Sequence, residues 1–293
     1  HRAHLHQAIA ALYSGGGTFL SGGMETGAAE VLHHLARERL NRVVLLSDGN
    51  ANEGVTDTYT LTRRADILRE QGVTITTMGV GYDYNEDLMM AVATYGGGNY
   101  YFVERATSMA QVFGEELKML GNTVVRDAIV ELELPPGVQV QDVYGFPYEQ
   151  QGQQLKVKMS GVSSGERRRL LMALNLPPQA QPAEVEVATG RVRFRNELSK
   201  ADEVVDFKPL KVSYTADQQQ VVASLNTPVV EKVEAVRNAM ARQEAMKQLD
   251  QGNAAAAQQV IQQRVAQSQQ LNSSLNSGSI SQGIDSMQSL QKK

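Results

Sequence analysis

The stretch "VVLLSDGNANEG" at residues 43–54 decides how this sequence is interpreted. It begins with an apolar run rich in β-branched residues, which favours a strand buried on both faces. After Ser47 it changes abruptly to a loop of acidic residues, glycines and asparagines, which we expect to shape that loop. In a parallel α/β sheet, ligand sites form at the carboxyl ends of the strands. We therefore predict that Asp48 projects from such an edge.

Strand-like and helical segments alternate through residues 1–120. Two more apolar, strand-length runs follow the first, at residues 73–81 and 99–104. Between and after them lie helical patterns, which we predict to begin at Asn85 and Ser108 and, in one case, to stop at Gly72. This alternation predicts an α/β fold, with a parallel sheet covered by helices.

Residues 121–216 have a different pattern. Strand-length pieces show apolar residues at every second position, and turn-forming runs such as Pro135-Pro136-Gly137 separate them. The period of two indicates half-buried strands rather than helices. We predict an antiparallel β-sandwich for this region.

Residues 226–293 are predicted to form a helical hairpin with a Gln- and Ser-rich tail. Asn226 or Thr227 would cap the first helix, with Pro228 in its first turn. The Gly252-Asn253 pair would turn the chain into the second helix. The remaining residues are rich in Gln, Ser and Asn, so we expect them to bury little surface and to pack loosely.

Composition excludes several functions. The 293 residues carry a net charge of -4, so no basic field attracts nucleic acid or an anionic membrane surface. No run of about 18 apolar residues occurs, and no membrane span is predicted. The absence of cysteine excludes disulfides, thiolate metal sites and a cysteine nucleophile. Composition does not fix the compartment, and a cytoplasmic location is the expectation.

A second loop, "GGGTFLSGG" at residues 15–23, is predicted to lie at the same edge as Asp48. Its glycines permit tight turns and close approach of the backbone. Thr18 and Ser21 offer hydroxyl oxygens, and Asp48 offers a carboxylate. Converging oxygens of this kind suit a hard cation such as Mg²⁺. From these residues alone, an Asp-Gly turn at the start of a helix is the alternative.

The order of three stretches resembles the second half of a bacterial von Willebrand factor type A domain. They are "GGGTFLSGGMETGAAEVL" (15–32), "RVVLLSDGNANEG" (42–54) and "TITTMGVGYDYNEDLMMAVATYGGGNYYFVE" (74–104). The resemblance covers about residues 1–120 and implies a partial Rossmann-like domain of this type. Longer bacterial proteins of the family also carry a β-sandwich and a helical segment after the domain.

The family's feature is a metal-ion-dependent adhesion site built from three loops. The resemblance implies that Thr18 is the threonine of the second loop and Asp48 the aspartate of the third. The ion would be Mg²⁺, or else Mn²⁺ or Ca²⁺, and a carboxylate of a partner protein would complete its coordination.

The family's first loop, Asp-x-Ser-x-Ser, does not occur in this sequence. The nearest string, "DSMQS" at residues 285–289, has the wrong serine spacing. Since the sequence begins in the helix that precedes the family's second loop, we expect an upstream segment to carry the first strand and first loop. For the present chain alone we expect weak metal binding or none.

Three hypotheses on function follow. The first is a protein-interaction module, not an enzyme, whose metal-ion-dependent adhesion site is incomplete in this chain. The second is a scaffold protein with a vestigial metal site, in which the helical tail supports a homo-oligomer. The third, a metal-dependent hydrolase, is disfavoured because a single carboxylate with no nearby base is poorly equipped for hydrolysis.

Other polar clusters have simpler explanations than a site. His33 and His34 are adjacent, so on a helix they point about 100° apart and do not share a metal as an i, i+4 pair would. The arginines of "GERRRLL" (165–171) are expected at a solvated strand end. The acidic residues that follow Gly81 are explained by helix capping at Asp83 or Asn85.

Overall fold

The computed structural model of the protein describes residues 2–11, 15–36 and 39–290. Its helices are α1 (Arg2–Ala10), α2 (Leu20–His33), α3 (Thr58–Glu70), α4 (Glu86–Tyr95), α5 (Met109–Gly121), α6 (Gln218–Ala223), α7 (Thr227–Asp250), α8 (Ala254–Leu275) and α9 (Gly278–Leu290). Its strands are β1 (Arg42–Ser47), β2 (Thr74–Val80), β3 (Gly97–Val103), β4 (Thr123–Glu133), β5 (Gln139–Tyr144), β6 (Tyr148–Gln151), β7 (Gln154–Lys158), β8 (Val162–Ser163), β9 (Leu171–Asn175), β10 (Ala183–Asn196) and β11 (Ala201–Tyr214).

Several helix ends follow directly from single residues. The side chain of Asn85 accepts a hydrogen bond from the Leu88 N–H at 2.9 Å, and α4 begins there. Asn226 caps α7 in the same way. The chain leaves α3 through Gly72, whose φ of 90° few other residues adopt. These three predictions are confirmed.

The strands β1, β2 and β3 form a parallel sheet in that order. Ser47 at the end of β1 lies opposite Gly79 near the end of β2, so the carboxyl ends of the strands meet at one edge. Helices α2, α3 and α4 supply the apolar side chains that pack on one face of this sheet. The core there consists of Leu20, Met24, Ala28, Val43, Leu45, Leu61, Ala65, Val73, Ile75, Leu88, Met89 and Val92. The predicted α/β fold is confirmed.

The prediction that β1 is buried on both faces is wrong. Val43, Leu45 and Ser47 are buried, but Leu46 is 40% exposed and Arg42 and Val44 are partly exposed. The strand therefore alternates between a packed face and a partly open one. Its apolar letters hide this alternation because Leu46 is apolar without being covered by the described residues.

The second half of the sequence contains the predicted antiparallel strands. One sheet has the order β11-β10-β4-β7-β6, with β8 also paired to β4. A separate two-stranded sheet joins β5 and β9. The sandwich arrangement itself stays a prediction.

The chain divides into two compact units that cut across the three predicted regions. The first contains the parallel sheet and most of the larger antiparallel sheet, and the second contains the C-terminal helices and the pair β5–β9. The first unit comprises residues 1–139, 145–170 and 188–210, and the second comprises residues 140–144, 171–187 and 211–293.

In the second unit, α7 and α8 form the predicted helical pair, and α9 adds a third packed helix. Ile280, Ile284 and Met287 of α9 are buried in a core shared with Ile261 and Val265 of α8. The expectation that this tail packs loosely is therefore wrong for α9. Its few apolar residues recur at intervals of three and four, which places them on one face despite the polar composition.

None of the described helices has both the length and the apolar composition needed to cross a bilayer.

Candidate functional site

Asp48 lies where β1 ends, at the carboxyl edge of the parallel sheet, and is exposed. The residue before it, Ser47, is buried and donates a hydrogen bond from its hydroxyl to the Gly49 carbonyl at 2.8 Å. This contact turns the chain sharply after the strand. The carboxylate is thereby presented at the predicted edge.

The Thr18 loop is bound to the Asp48 loop through backbone hydrogen bonds. The Thr18 N–H donates to Asn52 Oδ1 at 2.7 Å. The Thr18 carbonyl in turn accepts from the N–H groups of Asn52 at 3.1 Å and Glu53 at 3.3 Å. Both backbone groups of Thr18 are therefore held by the loop that carries Asp48. The prediction that asparagines shape this loop is confirmed for Asn52.

Gly49 allows the closest approach of the two loops. A Cβ atom at this position would lie 2.9 Å from Thr18 Oγ1, a contact that side chains do not make without displacement. The Thr18 hydroxyl thus lies against the residue that follows Asp48. The structure brings these two loops together, and metal binding by Thr18 and Asp48 stays a prediction.

Ser21, the second hydroxyl that the sequence offered, has a different role. It is buried, and its Oγ accepts a hydrogen bond from the Val55 N–H at 3.1 Å. It ties the start of α2 to the end of the Asp48 loop. The prediction that it supplies a second hydroxyl to the site is therefore wrong.

The remaining donor set fits a hard divalent cation in kind, because a carboxylate and a hydroxyl are the oxygen ligands that Mg²⁺ and Ca²⁺ take. Thr18 is half-buried and Asp48 is exposed. An ion held by these two side chains would keep its other coordination positions open. When bound, it would act as a Lewis acid that accepts an oxygen ligand from another molecule.

The loop after β2 supports the same edge. The Asn50 side-chain amide donates to the Asp83 carbonyl at 3.0 Å, which links the loops after β1 and β2. Behind it the hydroxyls of Tyr84 and Tyr100 are 2.6 Å apart, and Tyr100 also donates to the Glu86 carboxylate at 3.2 Å. Burial and the contact with Tyr84 raise the pKa of Tyr100 above its usual range, so both hydroxyls stay protonated as hydrogen-bond donors.

The other face of the parallel sheet holds a buried carboxylate, Glu116 of α5, which is 1% exposed. It accepts hydrogen bonds from side chains of all three strands. The donors and distances are Arg42 Nη1 at 2.7 Å, Thr76 Oγ1 at 2.6 Å, Asn99 Nδ2 at 2.9 Å and the Tyr101 hydroxyl at 2.8 Å. Burial by itself would raise the pKa of Glu116, but these hydrogen bonds outweigh it and hold the pKa below its usual value.

Sequence reasoning missed Glu116. It lies in "GEELKML", which is typical of an exposed helical turn, and its donors come from three separate strands. Only the parallel pairing of the strands brings Arg42, Thr76 and Tyr101 onto one face. The sequence contains no local signal that could have revealed this network.

A group of three carboxylates lies at the side of α3. Oxygens of Asp66, Glu70 and Glu149 are within 4.8 Å of one another. The Lys158 ammonium contacts all three, at 3.0 Å, 2.8 Å and 3.0 Å. The lysine already supplies the positive charge that such a group attracts, so a cation would have to displace it.

The remaining candidates agree with their simpler explanations. The rings of His33 and His34 meet edge to face with centroids 4.8 Å apart, an arrangement that does not converge on one ion. Arg168 of the arginine run pairs with Glu166 at 2.7 Å. Asn85, not Asp83, caps α4.

Residues 1–115 match the family model of the von Willebrand factor type A domain. The chain is also 28% identical over 229 residues to "Uncharacterized protein YfbK" of Escherichia coli (strain K12), a match that covers 74% of this chain and 38% of that protein. It is 22% identical over 207 residues to "Uncharacterized protein sll0103" of Synechocystis, covering 67% of this chain and 48% of the relative. The chain thus spans less than half the length of these two bacterial relatives.

Among solved structures, the chain is similar to the "von Willebrand factor type A from Catenulispora acidiphila". The TM-score is 0.69 at 16% sequence identity, and the match covers 92% of this chain and 64% of that chain. At this level of identity the likeness shows the fold alone.

Proposed function

We propose, on the premise that residues 1–115 are a von Willebrand factor type A domain, that the protein binds a partner protein through a divalent cation held by Asp48 and Thr18. The observation that carries the proposal is the contact of the Thr18 hydroxyl with Gly49, next to Asp48. The resemblance implies that a carboxylate of the partner completes the coordination of the ion. Mg²⁺ is the proposed ion because both ligands are hard oxygen donors.

Thr18 and Asp48 do not make a strong site by themselves. Mg²⁺ requires near-octahedral coordination and holds poorly to two protein ligands. The Asp-x-Ser-x-Ser pattern that would add further oxygens is not in these 293 residues. We therefore propose tight binding where another loop supplies those oxygens, and weak binding or none by this chain alone.

The scaffold hypothesis predicts the opposite response to metal. With a vestigial site, the ion would change neither stability nor partner binding. A hydrolase is disfavoured because Asp48 and Thr18 provide a carboxylate and a hydroxyl but no general base. The cytoplasmic location and the homo-oligomer expected from the sequence stay predictions.

Thermal unfolding with and without Mg²⁺ or Mn²⁺ tests the proposal. The full-length gene product and the 293-residue chain are compared as wild type, Asp48→Ala and Asp83→Ala. Asp83 is a matched control because it is an exposed aspartate of the neighbouring loop. An ion at a hundredfold excess over its Kd stabilises the folded state by about 2.7 kcal/mol.

We expect a metal-dependent rise in Tm for the full-length wild type and for Asp83→Ala. The rise should be absent in Asp48→Ala and small or absent in the 293-residue chain. If the full-length wild type does not respond to either ion, the adhesion-site function is wrong and the scaffold hypothesis is favoured.

A further inference from the structure

A cavity of about 510 Å³ lies at the amino edge of the parallel sheet, opposite the edge of Asp48. Arg42, Thr74 and Gly97, the first residues of β1, β2 and β3, line one side of it. Residues of β4 and β10 line the other side, within the same compact unit. The volume is in the range of cavities that hold small molecules.

Guanidinium groups form the inner wall of this cavity, and carboxylates lie at its rim. The arginines are Arg42, Arg69, Arg126 and Arg195. The Arg42 and Arg126 side chains are 12% and 14% exposed. The lining carboxylates Asp127 and Asp202 are 58% and 84% exposed. The positive groups are therefore less accessible to water than the negative groups that could neutralise them.

Two of the four arginines are neutralised by buried partners outside the cavity lining. Arg42 is paired with Glu116 at 2.7 Å, and Arg126 with Glu197 at 3.1 Å. Arg195 has weaker contacts, with Nη1 3.3 Å from the exposed Asp202 and Nε 3.8 Å from Glu197. Its positive charge is thus less completely compensated.

Arg69 has the least complete set of partners. Its Nη2 donates to the Met159 carbonyl at 2.6 Å. Its Nη1 is buried and has no hydrogen-bond partner among the described residues. A buried donor without an acceptor is costly, so an acceptor oxygen is expected beside it. Burial lowers the pKa of Arg69 and more distant carboxylates, Asp127 first, partly offset this.

We propose that this cavity binds a small molecule through an oxyanion, a phosphate or a carboxylate, recognised by Arg69 and Arg195. The planar guanidinium matches the oxygens of both groups, and a charge-assisted hydrogen bond is stronger than a neutral one. The volume exceeds what one phosphate fills, so the molecule extends further and contacts the apolar lining at Leu35, Leu40 and Met159. This site is separate from the metal site, which lies at the opposite edge.

Isothermal titration calorimetry of the whole chain with inorganic phosphate and with citrate tests the proposal, in a chloride buffer of fixed ionic strength. The variants are Arg69→Met and the surface control Arg105→Met, whose side chain is 77% exposed. We expect saturable binding of at least one anion, weakened tenfold or more in Arg69→Met and unchanged in Arg105→Met. Binding of phosphate alone identifies a phosphoryl group, and binding of citrate alone a carboxylate.

A third variant covers the case in which Arg69→Met fails to fold. Asp202→Asn removes the exposed carboxylate that competes for Arg195, and we expect it to tighten anion binding several-fold. The proposal is overturned if neither anion binds saturably to the wild type. It is also overturned if a folded Arg69→Met, or Asp202→Asn, binds with the wild-type affinity.

Discussion

At the residue scale, Glu116 shows how a charge is kept inside this fold. An isolated carboxylate taken out of water would become protonated, because burial disfavours its charged form. Here a guanidinium, two hydroxyls and an amide surround it, and its pKa is lowered rather than raised. The carboxylate therefore joins α5 to three strands that share no other charged contact in that layer of the described structure.

Replacing Glu116 by alanine should destabilise the protein by about 3–5 kcal/mol, since it leaves the Arg42 guanidinium buried without its partner. Urea unfolding at neutral pH measures this cost. Glu115→Ala is the control, because Glu115 is exposed one position earlier on the same helix. Equal losses in the two variants would contradict the role given to the network.

The pH dependence provides a second reading of the same prediction. Because the folded pKa of Glu116 is lower than its unfolded value of 4.5, its stabilising effect is fully present above that value. It is lost as the pH falls through the lower, folded pKa. Glu116→Gln should therefore unfold with a weaker acid dependence than the wild type.

Residues of the candidate metal site were more predictable than Glu116. Asp48 and the Thr18 loop follow from a strand end and a glycine-rich turn, both of which are local patterns. Ser21 was misjudged because its hydroxyl is consumed by the Val55 N–H, a contact 34 residues away. Such contacts depend on how two loops meet, which local patterns do not specify.

At the element scale, α3 is fastened to β7 by one lysine. The Lys158 ammonium lies among the carboxylates of Asp66, Glu70 and Glu149, and Asp66 is itself buried. Burial lowers the pKa of Lys158, but its hydrogen bonds to these carboxylates, Glu70 first, outweigh this and raise the pKa above its usual value. The lysine therefore stays charged throughout the range in which the carboxylates are ionised.

Replacing Lys158 by methionine should destabilise the first unit by about 3 kcal/mol, at the lower end of the range for a buried pair with one partner removed. The three carboxylates would then repel one another. Thermal unfolding with Ca²⁺ gives the decisive comparison: the ion should stabilise Lys158→Met more than it stabilises the wild type.

Lys156→Met serves as the control, because Lys156 is an exposed residue of the same strand. If it loses as much stability as Lys158→Met, or if Ca²⁺ has the same effect on all three proteins, the fastening role of Lys158 is wrong.

Helix starts could be predicted from capping residues because a cap acts within one turn. The face exposure of β1 could not, since it depends on which neighbours cover Val44 and Leu46. The polar tail was underestimated for a related reason. Three well-spaced apolar residues suffice for α9 to pack, although they are a small part of its composition.

At the scale of the whole molecule, the sequence predicts the order of the regions but not the two compact units. The strands β10 and β11 each contribute residues to both units. Their alternating patterns run continuously along each strand, so no change in composition marks the division. Only the three-dimensional contacts define it.

The second unit has its own buried ion pair, between Arg264 of α8 and Glu234 of α7. Arg264 also donates to Asn238 Oδ1 at 2.9 Å and to Ser268 Oγ at 2.8 Å. We expect Arg264→Met to destabilise this unit by about 3–5 kcal/mol, because it leaves Glu234 buried without a counter-charge. The double variant Glu234→Leu/Arg264→Met should recover much of the loss, since no lone charge remains.

If the units unfold separately, this effect is confined to the second one. Calorimetry should then show one transition lowered in Arg264→Met, while a second transition keeps its Tm. Arg242→Met, an exposed arginine of α7, should change neither. Phosphate and metal responses, which belong to the first unit, should survive in all three variants. A single transition that shifts as a whole would mean that the two compact units unfold cooperatively, since a local loss in one would then lower the stability of both.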